Sequence, residues 1–163
     1  MKNDFIYLCD HFGQPDYVIG LNPLNTYVQW EDLQSMLDDM NKMHLHSVFG
    51  SKWKLKRKKK HRYKMILAPE IDSRNTKADQ HQFLHTHGYL WVENPMLIDS
   101  FTNGDYETIV RKRMRKKYPD RGRDTVVSKF WIEKYDRSRK VPGCEYATKN
   151  FGSDFTNGDT YVF

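Results

Sequence analysis

The sequence predicts an α+β sandwich in which one mainly antiparallel sheet carries its helices on one face, and three observations lead there. Runs rich in β-branched and aromatic residues alternate with longer runs whose apolar residues recur every three to four positions, in the order β, α, β, β, α, β, α. Two of the strand-like runs follow one another with only a polar loop between them, which suits antiparallel pairing. The 163 residues amount to one domain with a modest core, and neither an internal repeat nor a long low-complexity linker divides them.

Tyr17-Val18-Ile19-Gly20-Leu21-Asn22 reads as the first strand, ended by Pro23. From Thr26 or Gln29 onward, Trp30, Leu33, Met36, Leu37 and Met40 fall at helical spacing, so a helix runs to about Met43. Tyr63 to Ala68 is a buried strand closed by Pro69, and Asp72 to Gln82 is polar and loop-like. Phe83 to Val92 is the next strand, with Asn94-Pro95 as its breaker. A second helix fits Tyr106 to Tyr118, ended by Pro119 and Gly122. Val126 to Lys134 has strand composition, and Pro142 is placed to open a last helix carrying Tyr146 and Lys149. In the tail, residues 153–163, the turn signal Asn157-Gly158-Asp159 precedes Tyr161-Val162-Phe163, which suits an edge strand and has no firmer reading.

Charge is concentrated rather than spread. Lys and Arg number 27 against 21 Asp and Glu, a net charge of +6. From Lys52 to Lys64 there are nine basic residues and no acid, and from Arg111 to Arg123 there are eight with the single acid Asp120. Each run alone is as well explained by a solvated surface. The aromatics Trp53, Tyr63 and Tyr118 set among them favour single-stranded nucleic acid, which is held by backbone charge and base stacking. The expected DNA-contacting side chains are Lys52, Trp53, Lys54, Lys56, Arg57, Lys58, Lys59, Lys60, Arg62, Arg111, Arg113, Arg115 and Lys116. Cys9 and Cys144 are the only cysteines and lie far apart, which argues for reduced thiols rather than a disulfide framework. With no long apolar run and no secretory pattern at the N-terminus, the expectation is a soluble protein with no membrane partner.

Two stretches carry chemistry. In Phe83-Leu84-His85-Thr86-His87-Gly88-Tyr89-Leu90-Trp91-Val92, His85 and His87 are two apart on a strand and share one face, so both imidazoles can reach one cation. In Glu145-Tyr146-Ala147-Thr148-Lys149-Asn150, Tyr146 and Lys149 are three apart on a helix and share a face, which sets a cation beside a phenol.

With these motifs in this order, the chain resembles the HUH endonucleases, a group that includes rolling-circle replication initiators, relaxases and single-tyrosine transposases. The Tyr-x-x-Lys form is most similar to the initiators. The resemblance covers roughly Tyr17 to Gly152, the core of a single domain spanning 1–163. It implies a ferredoxin-like, RRM-like sandwich whose central strands carry the histidines. It also implies Mn²⁺ or Mg²⁺ held by His85, His87 and a third polar side chain, with Tyr146 as the nucleophile and Lys149 beside it. The family's middle residue is usually apolar where this chain has Thr86, and an early strand often carries Thr where this chain has Gly20 and Asn22. The implied activity is site-specific nicking and joining of single-stranded DNA through a 5′-phosphotyrosyl intermediate, initiating rolling-circle replication of a virus, phage or plasmid. Origin hairpin DNA would be bound, in a bacterial cytoplasm or, for a eukaryotic virus, a host nucleus. No Gly-x-x-x-x-Gly-Lys phosphate loop is present, so either unwinding comes from elsewhere, with a host helicase or polymerase as partner, or this chain is a fragment.

Alternatives stand beside each assignment. Antiparallel pairing of the second and third strands would bring Glu70 or Asp72 near the histidines, and Glu70, ending its strand, is the preferred third ligand over Asp72 and His81. His44-Leu45-His46 matches His-hydrophobic-His more literally. It directly follows a helix and lies about a hundred residues from Tyr146, so it reads as a helix terminus where imidazole meets open carbonyls. A transposase or relaxase would use the same chemistry on other ends, and a noncatalytic nucleic-acid-binding module would share the composition without the cleavage.

Overall fold

Alternation of apolar residues along the strands places one face of the sheet under α-helices, and among the described residues the other face carries a small, largely aromatic cluster. The computed structural model describes residues 11–23, 30–54, 62–71, 84–119, 127–136, 138 and 161–163. They form β1 (Tyr17–Pro23), α1 (Trp30–Phe49), a 3-10 turn (Gly50–Lys54), β2 (Tyr63–Ile71), β3 (Leu84–Val92), α2 (Pro95–Thr102), α3 (Asp105–Lys117), β4 (Val127–Lys134) and β5 (Tyr161–Val162). The sheet order is β4-β1-β3-β2-β5 with every neighbouring pair antiparallel. The architecture is the expected α+β sandwich, in keeping with a ferredoxin-like arrangement.

Ile19 and Leu21 of β1, Tyr63, Met65 and Leu67 of β2, and Leu90 and Val92 of β3 point toward the helices. There they meet Leu33, Met36, Leu37 and Met40 of α1, Leu97 and Phe101 of α2, and Tyr106, Val110 and Met114 of α3. Residues of the opposite parity, Ile66, Ala68 and Tyr89, form a second cluster with Phe12, Val18, Trp91 and Tyr135, to which none of the three helices contributes.

Three elements differ from expectation, each for a local reason. Helix α1 continues six residues past Met43, because Asn41, His44 and Leu45 keep its buried stripe going. The Asn94-Pro95 pair starts a helix as well as ending a strand: the Asn94 side chain accepts a hydrogen bond from the Met96 amide at 3.0 Å, and Pro95 occupies the first turn, where its missing N–H is not needed. Strand β2 runs through Pro69 to Ile71. Met65 exchanges both backbone bonds with Phe163, so the alternate residues of β2 direct their amides toward β5, yet β5 pairs only with Ile66 and Leu67. Pro69 thus turns its donor-free nitrogen to a flank with no ladder partner among the described residues, where proline is tolerated.

The short β5 is fastened by its side chain. Tyr161 is buried and accepts from Asn41 Nδ2 at 2.9 Å while donating to Asp38 Oδ1 at 2.8 Å. The Asn41 carbonyl takes the hydroxyls of Tyr63 at 2.8 Å and Tyr106 at 2.6 Å. His44 completes the group, with Nε2 2.8 Å from Ser100 Oγ and Nδ1 3.4 Å from the Tyr63 oxygen. One tautomer satisfies both contacts: Nδ1–H donates to Tyr63 and Nε2 accepts from Ser100. The expected edge strand is thus present and tied to α1, β2 and α3.

Candidate functional site

Antiparallel pairing of β2 with β3 sets the candidate ligands in register. Glu70 pairs with His85, and Ala68 with His87. Residues directly opposite one another lie on the same face, as do residues two apart, so positions 70, 85 and 87 share one face of the sheet. It is the face of Ile66, Ala68 and Tyr89, away from the helices. One carboxylate position and two imidazole positions at one end of two paired strands suit a divalent cation that takes oxygen and nitrogen ligands. Among residues with fully described side chains no group of three His, Cys, Asp or Glu gathers as a ligand set. Asp72 and His81 lie outside the described residues.

His87 is half-buried and has an aromatic neighbour. The Trp131 ring on β4 meets the imidazole edge-to-face, with centroids 5.5 Å apart. Gly20 makes this possible: it pairs with Trp131 across the β1–β4 ladder, and a methyl group there would overlap the indole. At Gly88 a side chain would run into the Ile66 carbonyl, so glycine lets β2 and β3 approach beside the histidine pair. Trp131 escaped sequence reasoning. The signal for it was a glycine inside a strand, which marks close approach of another group.

Thr86, between the histidines, is fully buried on the helix side. Its hydroxyl accepts from the Leu21 amide at 2.9 Å and donates to the Leu21 carbonyl at 2.8 Å. The β1–β3 ladder ends at Ile19 and Gly88, so two residues farther on a side chain does what a backbone rung would have done.

The competing pair separates: within α1, His44 is buried in the core and His46 is exposed, so they cannot share a cation. His44 sits inside the helix, bonded to side chains rather than to terminal carbonyls, which corrects the expectation of a helix end. Burial lowers its pKa to about 4 against a small opposing pull from Asp105, so the imidazole is neutral.

Tyr146 and Lys149 lie outside the described residues, as do Lys56, Arg57, Lys58, Lys59 and Lys60. Among the described tyrosines, burial pushes the hydroxyls of Tyr63, Tyr106 and Tyr161 upward and makes a phenolate costly at each. Tyr118 shifts the same way through burial and the Asp32 carboxylate. These groups serve packing and hydrogen bonding.

The basic residues divide. Trp53 packs partly buried against the main core, with the Lys54 ammonium 5.8 Å from its ring centre. Arg62 is exposed at the start of β2. On α3, Arg111 forms an ion pair with Glu107 at 2.6 Å and Arg113 with Asp39 at 2.7 Å, while Arg115 and Lys116 are exposed. Since α3 packs on the helix-bearing face, the sheet stands between these residues and the histidine positions. Lys64 is different. It lies on the histidine face, its ammonium 4.1 Å from the centre of the Phe12 ring, and it pairs in register with Trp91.

Compared with protein-family models, curated proteins and solved structures, the chain has no match in any of the three. Among the described residues, no helix is long and apolar enough to cross a membrane.

Proposed function

We propose that the protein is a metal-dependent, single-tyrosine DNA nickase and strand-joining enzyme of the HUH type, acting as a rolling-circle replication initiator. The observation that carries the reading is the register of β2 on β3, which gathers positions 70, 85 and 87 on the face opposite α1, α2 and α3, where the helical residues 11–12 bring Phe12 against Trp91 and Lys64. Topology adds support. Among the described residues β4 forms one edge of the sheet and β5 the other, and the direction of β5 along β2 means that the chain reaches Tyr161 from the Glu70 end. The connection bearing Tyr146 and Lys149 therefore rejoins the sheet opposite Leu67, arriving from the end of β2 where Glu70 stands.

His85, His87 and Glu70 are the residues that would hold Mn²⁺ or Mg²⁺, which when bound withdraws charge from a phosphate oxygen and orients the phosphate. The Tyr146 oxygen attacks phosphorus, the bond from phosphorus to the 3′ oxygen breaks, and the 5′ phosphate becomes esterified to the phenol. A phenol titrates near 10: its proton passes to water, the Lys149 ammonium offsets the charge of the phenolate, and that ammonium then protonates the departing 3′ oxygen. A later 3′-hydroxyl attacks the phosphotyrosine, releasing the phenol and rejoining the strand without ATP. Trp131 limits movement of the His87 ring. Lys64 and Trp91, on the same face, offer charge and a stacking surface to the strand.

Incubation of labelled single-stranded origin DNA with the protein and Mn²⁺ should give a covalent adduct that chelator abolishes. Tyr146→Phe should retain DNA binding and form no adduct. An adduct that persists in this variant refutes the nucleophile, and tight binding with no cleavage in any metal leaves a noncatalytic binding module.

A further inference from the structure

We propose that Thr86 is a positioning residue for the metal-binding pair, its hydroxyl acting as a spacer that holds β3 at a fixed offset from β1 just where His85 and His87 occur. The inference rests on reading those two residues and Glu70 as ligands. It concerns a side chain that points away from the cation, on the helix side of the strand.

Four observations support it. The hydroxyl uses both its donor and its acceptor capacity on one residue, Leu21, at 2.8 and 2.9 Å, and both groups are buried. The backbone ladder from β1 to β3 stops at Ile19 and Gly88, while β1 stays paired to β4 through Gly20 and Leu21. β1 therefore leaves β3 without leaving the sheet, and one hydroxyl bridges the step. Strand β1 also carries Gly20, whose missing side chain admits the Trp131 ring that touches His87. A shift of β1 relative to β3 moves Trp131 relative to the imidazole.

An apolar residue at 86 fills the volume and cannot bridge the gap. The strands would then close to direct backbone pairing or leave the Leu21 amide and carbonyl without partners, and a buried unpaired group is costly. Either outcome displaces the histidines from the offset that β1, Gly20 and Trp131 define. Hydrogen-bond partners of metal ligands alter affinity by about 10- to 100-fold when removed, and Thr86, which acts one step farther back through the strand, is expected at the lower end of that range.

Binding of Mn²⁺ alone, followed by titration calorimetry below the melting temperature of every variant, separates this role from simple packing. His87→Ala should abolish binding. Thr86→Val should weaken it by about tenfold or more, and Thr86→Ser, which keeps the hydroxyl and discards the methyl, should stay within about threefold of the native protein. If Thr86→Val does not fold, Thr86→Cys replaces it, since a thiol fills the site but bonds weakly. Native protein that binds no Mn²⁺ overturns the ligand assignment and this role with it. Native binding that is lost in His87→Ala but unchanged in Thr86→Val or Thr86→Cys overturns the Thr86 role alone, as does a Ser variant weaker than the Val variant.

Discussion

Asn41 lies fully buried among three phenols, and His44 one turn along the same helix is as completely enclosed. Folding requires that imidazole to be neutral, and this sets a pH dependence. Its folded pKa of about 4 lies below the ordinary 6.5, so between those values the unfolded chain binds a proton that the folded chain does not. Stability is complete above pH 6.5 and declines as pH falls toward 4, by about 3 kcal/mol across the window from this group. Urea midpoints measured from pH 7 to 4 should show the decline, and His44→Gln should flatten it. A slope unchanged in that variant would assign it to other groups. None of this was legible in the sequence: His44 there read as a helix end because the apolar pattern fades into Asn41 and His44, polar residues whose partners come from β2, α2 and β5. Thr86 was visible only as a departure from an apolar position. Its double bond to Leu21 depends on where two distant strands diverge, which one-dimensional spacing does not encode.

Periodicity alone recovered β1, α1, β3, α3 and β4 to within a few residues at most ends, since each has a long or well-bounded apolar pattern facing the main core. What failed was punctuation. Proline served as a stop signal at both Pro69 and Pro95, whereas Pro69 continues a strand along its unpaired side and Pro95 begins a helix. The first of these matters for the site, because continuation through Pro69 is what carries Glu70 into register with His85. The second gives a direct test of the cap. Asn94→Ala removes the side-chain acceptor for the Met96 amide and should cost about 1 kcal/mol, read as a lower melting temperature, while Asn94→Asp should retain most of it. Equal losses in both variants would show that Asn94 acts by something other than capping.

Across the described molecule, the basic residues of α3 and the candidate ligand positions lie on different sides of the sheet. The described basic residues of α3 ride on the helix layer, Arg111, Arg113 and Lys117 among them in ion pairs, and the candidate ligand positions occupy the reverse of the sheet. Composition suggested a polyanion partner and could not distribute the charges over two faces. Single-stranded DNA running over the histidine face should therefore sense Lys64 and Arg62 more than Arg113. Lys64→Gln with Arg62→Gln should weaken binding and reduce the slope of log affinity against log salt by about 0.7 per lost phosphate contact, whereas Arg113→Gln should leave the slope unchanged. Fluorescence anisotropy over a salt series measures both, and an equal effect of Arg113→Gln would place the strand across the helices instead.

Pro69 has one more consequence, for how copies of the protein meet in solution. An open sheet margin is a template on which a second molecule can add a strand, the usual beginning of aggregation. Beyond Leu67, where β2 has no ladder partner among the described residues, the ring nitrogen denies such an intruder a hydrogen-bond donor, so this margin resists self-association.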